Sequence, residues 1–237
     1  MKKFLSLIVA IALVVTMLPT AALAIWTSRP TVALSATELG VDNKMAVTIT
    51  VAGATPTIKA YNLGICYDPD LVEVDATAGT YMGWNEETSY EDIPTGLDIA
   101  NTTDNFQYNM AATTANKTMY FVTDASSRGF GNGFTVTVHF KLTDKAIAEG
   151  GRTNFEIASG VGTIEGTQVE LFTINDGADG KADYPTENNS VSVAIPMKNV
   201  ALTGGVTTPT KNGEDESHLT GTNVDATVTW KPALDDG

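Results

Sequence analysis

The stretch Ala60-Tyr61-Asn62-Leu63-Gly64-Ile65-Cys66-Tyr67-Asp68-Pro69-Asp70-Leu71-Val72-Glu73-Val74 decides the fold class. Leu63, Ile65 and Tyr67 recur at every second position and share one face of an extended chain. Period two marks a strand half-buried against a core. Asp68-Pro69-Asp70 breaks the run, because proline presets the second position of a tight turn and aspartate side chains bond their own backbone there. Val72 and Val74 then alternate with Leu71 and Glu73. The unit reads as strand, turn, strand.

The pattern spreads outward from this unit. Val47, Ile49 and Val51 alternate with Thr48 and Thr50. Phe134, Val136, Val138, Phe140 and Leu142 alternate with Thr135, Thr137, His139 and Lys141, and Val191, Val193 and Ile195 with Ser192 and Ala194. The β-branched residues among them suit a pleated surface. Strands are expected at 31–37, 45–52, 58–67, 71–76, 105–111, 117–123, 134–142, 153–158 and 190–196. A short helix is expected over 143–149, and a long polar surface loop with a short hairpin inside it over 80–101. Nine short strands separated by turn signals imply an all-β protein, a nine-stranded β-sandwich.

The first 24 residues stand apart. Lys2 and Lys3, the apolar run Phe4 to Leu18 and the small-x-small site Ala22-Leu23-Ala24 read as a secretory signal peptide. The expectation is a secreted or cell-surface protein, in contact with membrane only before cleavage. Residues 25–196 form the sandwich, and 197–237 read as a linker and the truncated start of a second β domain. Removing Lys2 and Lys3 takes the net charge from −14 to −16. So acidic a chain lacks the basic patch that nucleic acid or an anionic membrane requires. The single cysteine, Cys66, lies in an alternating strand and reads as a partly buried thiol.

No enzymatic constellation emerges. His139 falls on the polar face of its strand and His218 in an acidic stretch, and neither has a nucleophile motif beside it. Glu86, Glu87, Glu91 and Asp92 are a local charge run, not two carboxyls set across a cleft. Asn175 to Asp183 imitates a calcium loop, but Gly177 stands where a ligand is needed, so it reads as a polar turn. No catalytic residue, metal site or cofactor is expected.

The Tyr67-Asp68-Pro69 turn followed by Leu71-Val72-Glu73-Val74 resembles the cohesin family, whose modules form the receptor half of a cohesin–dockerin pair. Met119 to Asp124, the Ser126 to Gly133 loop and the strand Phe134 to Leu142 agree with that family in order and spacing. The resemblance covers about residues 31–196. It implies a jelly-roll sandwich without enzymatic activity, on a cellulosome-type scaffoldin. It also implies a protein partner, the dockerin, borne by polysaccharide-degrading enzymes. Binding would use the sheet holding the third, fifth, sixth and eighth strands, taken here as 58–67, 105–111, 117–123 and 134–142. The positions carried over are Ala60 and Asn62, Gln107 and Asn109, Phe121, Thr123 and Asp124, and then Ser126 and Gly129. Many cohesins carry Asn and Asp where this chain has Ala60 and Asn62, and an acid where it has Thr123, which leaves the dockerin class open. Leu202 to Pro209 and Thr222 to Pro232 resemble the opening of an Ig-like repeat of bacterial surface proteins. The alternative function is a carbohydrate-binding or adhesion module using Trp84, Tyr81 and Tyr90. Finally, Met119, Tyr120, Phe121 and Val122 are apolar in succession, so both faces of their strand must lie against something apolar.

Overall fold

Alternation along the chain becomes alternation between core and surface. In the strand Lys44–Ala52, residues 45, 47, 49 and 51 are buried while their neighbours reach outward. The computed structural model describes residues 26–114, 117–164, 166–178, 180–196, 200–202 and 226–228. Its elements in order are β1 (Thr31–Ala36), β2 (Lys44–Ala52), β3 (Ala60–Tyr67), β4 (Val72–Val74), β5 (Tyr81–Asn85), β6 (Tyr90–Ile99), β7 (Gln107–Thr113), β8 (Thr118–Ala125) and β9 (Phe134–Leu142). They continue with α1 (Asp144–Glu149), β10 (Gly151–Ile157), β11 (Val161–Ile164), β12 (Thr167–Glu170), β13 (Thr173–Asn175) and β14 (Ser190–Ile195). The pair β15 (Val200–Leu202) and β16 (Ala226–Val228) follows.

All nine expected strands are present, and the expected helix is α1, capped by the Thr143 hydroxyl accepting from the Ala146 amide. They form two antiparallel sheets. The first has the order β1-β2-β9-β6-β5, with β4 also on β9. The second has the order β14-β10-β3-β8-β7, with β13 also on β3. The chain crosses between sheets after β2, β3, β6, β8 and β9, the crossing pattern of a jelly roll.

The core fills the space between the sheets. Tyr67, Phe140 and Phe155 stack across it in a chain, with ring centroids 5.1 and 5.0 Å apart. Two buried tyrosines have satisfied hydroxyls: Tyr67 donates to the Met110 carbonyl at 3.0 Å and Tyr120 to the Thr95 carbonyl at 3.0 Å. These two bonds tie β3 to β7 and β8 to β6, on top of the apolar burial that dominates such a core.

Two departures from the sequence reading follow. The strand count exceeds nine, because two strands are interrupted by hairpins and β15 and β16 form a separate pair. Both β4 and the end of β6 pair with β9, at residues 140–142 and 136–138, and the β5–β6 hairpin is an excursion between those pairings. Likewise β10 and β13 both pair with β3, and the β11–β12 hairpin is the excursion between them. Residues 80–101, expected as a surface loop with a short hairpin inside it, are mostly hairpin, and the end of β6 runs on into the main sheet. The second departure concerns sheet membership. Strand 134–142, expected on the partner-binding sheet, is β9 and lies in the opposite sheet between β2 and β6. The fourth strand beside β3, β7 and β8 is β10. The expected signal peptide, the expected second-domain stretch beyond 196 apart from β15 and β16, and His218 lie outside the described residues.

Candidate functional site

The second sheet has an outer face turned away from the core, and most of the expected contact residues fall on it. Cross-strand register sets Asn62 beside Thr123 and Thr123 beside Gln107, a polar row running from β3 through β8 to β7. The next row is Gly64, Phe121 and Asn109. Within the first row the Thr123 hydroxyl donates to the Asn62 Oδ1 at 2.6 Å, and the Asn62 amide donates to the Glu170 carbonyl on β12 at 3.0 Å. Asn109 Oδ1 accepts from the Ala111 amide at 3.1 Å at a bulge in β7. Gln107 is exposed at the sheet edge. Ala60 begins the same face of β3, opposite Ala125.

The other expected contacts do structural work. Phe121 is only 4% exposed. It forms a second, smaller core with Cys66, Ala112, Met119, Ala158 and Leu171, with Ile164 and Val169 packed against them. The β11–β12 hairpin therefore roofs the middle of the outer face, which corrects the reading of Phe121 as a surface contact. Gly64 admits this roof, since a Cβ there would come within 2.9 Å of the Ala158 side chain. Cys66 lies under the same cover, and burial pushes its thiol up to about 11. Asp124 is 1% exposed and turned inward, a second correction. Its carboxylate accepts from the Thr103 hydroxyl, the Thr103 amide at 3.0 Å and the Ala125 amide at 2.7 Å, pinning the 101–106 loop. The Ser126 hydroxyl accepts from the amides of Arg128 and Gly129, so these two expected contacts shape the turn at the end of β8. Gly129 has φ 86° and sits against Thr57 and Ile58, where a side chain would collide.

Between the two hairpins the outer face is open, leaving a groove of about 940 Å³. Asn62, Thr123, Gln107 and Asn109 lie along its floor, with the edge of Phe121. Tyr81, Trp84, Phe106 and Tyr108 make one side with Glu86, and Ile164, Thr167 and Val169 make the other. The aromatic side is held by mutual contacts. Tyr81 meets Phe106 edge-on at 4.8 Å and Tyr108 at 5.9 Å, and Phe106 stacks on Tyr108 at 6.2 Å. Trp84 is 59% exposed. Of the three aromatics singled out in sequence, Tyr81 and Trp84 line the groove, whereas Tyr90 is exposed at the hairpin tip opposite Asn85. Phe106 and Tyr108 escaped the sequence reading; their signal was two aromatics flanking Gln107.

No family model matches this chain, and no curated protein sequence matches it. Among solved structures, the chain is similar to cohesin modules. One is a type III cohesin from a cell-surface anchoring scaffoldin of Ruminococcus flavefaciens, with 15% identity, 76% of this chain and 92% of that one covered, and a TM-score of 0.44. Another is a non-cellulosomal cohesin of the archaeon Archaeoglobus fulgidus, with 15% identity, 70% and 91% covered, and a TM-score of 0.42. A collagen-binding domain of an Erysipelothrix rhusiopathiae surface protein is also similar, with 13% identity, 69% and 46% covered, and a TM-score of 0.34.

Two further polar clusters singled out in sequence are held by internal bonds. In the 175–183 turn, Asp176 accepts from the amides of Trp26, Ala178 and Gly180 at 3.0, 2.8 and 3.1 Å. Its carboxylate is committed to backbone, and no group of three or more metal-ligating side chains occurs among the described residues. On the outer face of the first sheet, His139 Nε2 lies 2.7 Å from Asp98, whose other oxygen accepts from the Thr80 amide and hydroxyl. Burial works to raise the Asp98 carboxyl, but hydrogen bonds from His139 and Thr80 prevail and hold it below the usual carboxylate range.

Proposed function

We propose that this protein is a non-catalytic docking module of a secreted or cell-surface scaffold, capturing dockerin-bearing proteins through the outer face of the β10-β3-β8-β7 sheet. The cargo on this reading is a set of polysaccharide-degrading enzymes. The sequence resemblance through Tyr67-Asp68-Pro69 and Met119 to Asp124 supports the family assignment. The observation that carries the reading is the polar row Asn62–Thr123–Gln107 on a sheet face in which β3 and β8 are each paired to a strand on both sides. A preformed face loses little conformational freedom when a partner lands on it. Its mixture of aromatic side chains and amides is the composition of a docking surface with a few anchors and a polar rim.

The test is capture by a panel of purified dockerin modules, measured by calorimetry. Gln107→Arg places a long charged side chain on the face without touching the core. Capture by at least one dockerin is expected, weakened by roughly 2 kcal/mol or more in the variant, with thermal unfolding unchanged. A panel without any binder, or a variant that binds like the parent, refutes the proposal.

A further inference from the structure

We propose that the groove between the two hairpins is a binding site for a neutral oligosaccharide, a ligand beyond the protein partner. The inference shares its face with the docking reading but is tested apart from it, since its test contains no second protein. Trp84 offers an exposed indole at the groove edge. Such a ring accepts the apolar C–H face of a pyranose, as aromatic side chains do for flat amphipathic ligands. Behind it, the mutual contacts of Tyr81, Phe106 and Tyr108 hold that side still before any ligand arrives. Even the hairpin backbone is shaped to them: at Gly83 a Cβ would run into the Tyr108 hydroxyl.

On the floor and the far side of the groove stand groups suited to sugar hydroxyls. The exposed amide of Gln107 can both donate and accept, and Thr167 adds a hydroxyl. Sugar hydroxyls also donate and accept, so each can be paired. The volume, about 940 Å³, lies near the top of the ~300–1,000 Å³ range of small-ligand clefts and suits a short chain of rings more than a single one. Charge selects the class. Among the described residues, the carboxylate of Glu86 is the one formal charge lining the groove, and the chain as a whole carries −14. A uronate or sulfated glycan would meet repulsion with no cation among the described lining residues to offset it, whereas a neutral glycan meets none.

The probes are gluco-, xylo-, manno- and galacto-hexasaccharides, with polygalacturonate as the anionic control, titrated against the full chain by calorimetry. At least one neutral hexamer is expected to bind saturably. Trp84→Ala should weaken that binding by about tenfold or more, the size of one lost aromatic contact. Trp84→Phe should recover most of it, and Tyr90→Ala, outside the groove, should leave it unchanged. The proposal is overturned if no hexamer binds at millimolar concentration, if Trp84→Ala binds like the parent, or if polygalacturonate binds as tightly as the neutral hexamers.

Discussion

Replacing Phe121 by alanine would measure whether the β11–β12 hairpin is bonded to the sandwich or merely lies near it. Phe121 is 4% exposed and touches a cluster drawn from β3, β7 and β8 below and from the hairpin and its base above. Truncating a buried phenylalanine costs about 3–5 kcal/mol, with the spread set by how far the site collapses. This cluster is one side chain deep, and its roof is a hairpin held to the sheet at few points, so partial collapse places the expected loss near ~3 kcal/mol. For a domain of this size each kcal/mol moves the melting temperature by about 2–4 °C, giving a drop on the order of 6–12 °C. Differential scanning calorimetry or urea unfolding reads this directly. Leu171→Ala attacks the same cluster from the hairpin side, and the double variant should lose less than the sum, with coupling of about 0.5–3 kcal/mol. A Phe121→Ala protein that unfolds within ~0.5 kcal/mol of the parent would refute the reasoning, because it would mean the ring is not buried under its own chain.

Two further outcomes follow from the same geometry. The Asp98 carboxyl is held below its ordinary range in the folded protein, so its contribution is present above the unfolded value near 4 and fades as the pH falls through the lowered folded value. Asp98→Asn should therefore melt earlier than the parent at pH 6 and converge with it in strong acid; parallel melting profiles across that range would contradict the assignment. Cys66, raised to about 11 by burial under the hairpin, should resist alkylation by iodoacetamide at pH 8 until the protein is unfolded in denaturant. Rapid labelling of the native protein would show the cover to be open.

The sandwich was legible because most of its nine main strands bury one face, and a half-buried strand writes period two into the chain. Sheet membership was not legible in the same way. Strand 134–142 shows the same alternation whichever sheet holds it, because both sheets bury their inner face in one core. The hairpins were quieter still. In β5–β6, Met82, Trp84 and Tyr90 are all exposed, so no face of the hairpin is consistently apolar. In β11–β12 the strands are four residues long, and Ile164 and Val169 alone pack inward, with Leu171 just past the end. The unbroken apolar run of β8 did announce that both its faces are covered, but a covered face reads the same whether a partner or the chain itself supplies the cover. Asp124 was within reach of simple parity: it follows Tyr120 and Val122 at two-residue steps, and both of those face the core.

The two interrupted strands have a consequence for how such a molecule can change. Each hairpin leaves and rejoins the sandwich at nearly one point, closed at its base by a backbone bond from the Leu171 amide to the Gly160 carbonyl in one case and from the Thr80 amide to the Leu97 carbonyl in the other. The half-strands on either side keep their own pairing with β3 or β9, so their register does not depend on what lies between. Lengthening an excursion of this kind to twice its size adds only about 0.6 kcal/mol of loop-closure entropy. The two hairpins can thus be rewritten, lengthened or exchanged one at a time while the scaffold beneath keeps its register, and a change in the groove between them need not be a change of fold.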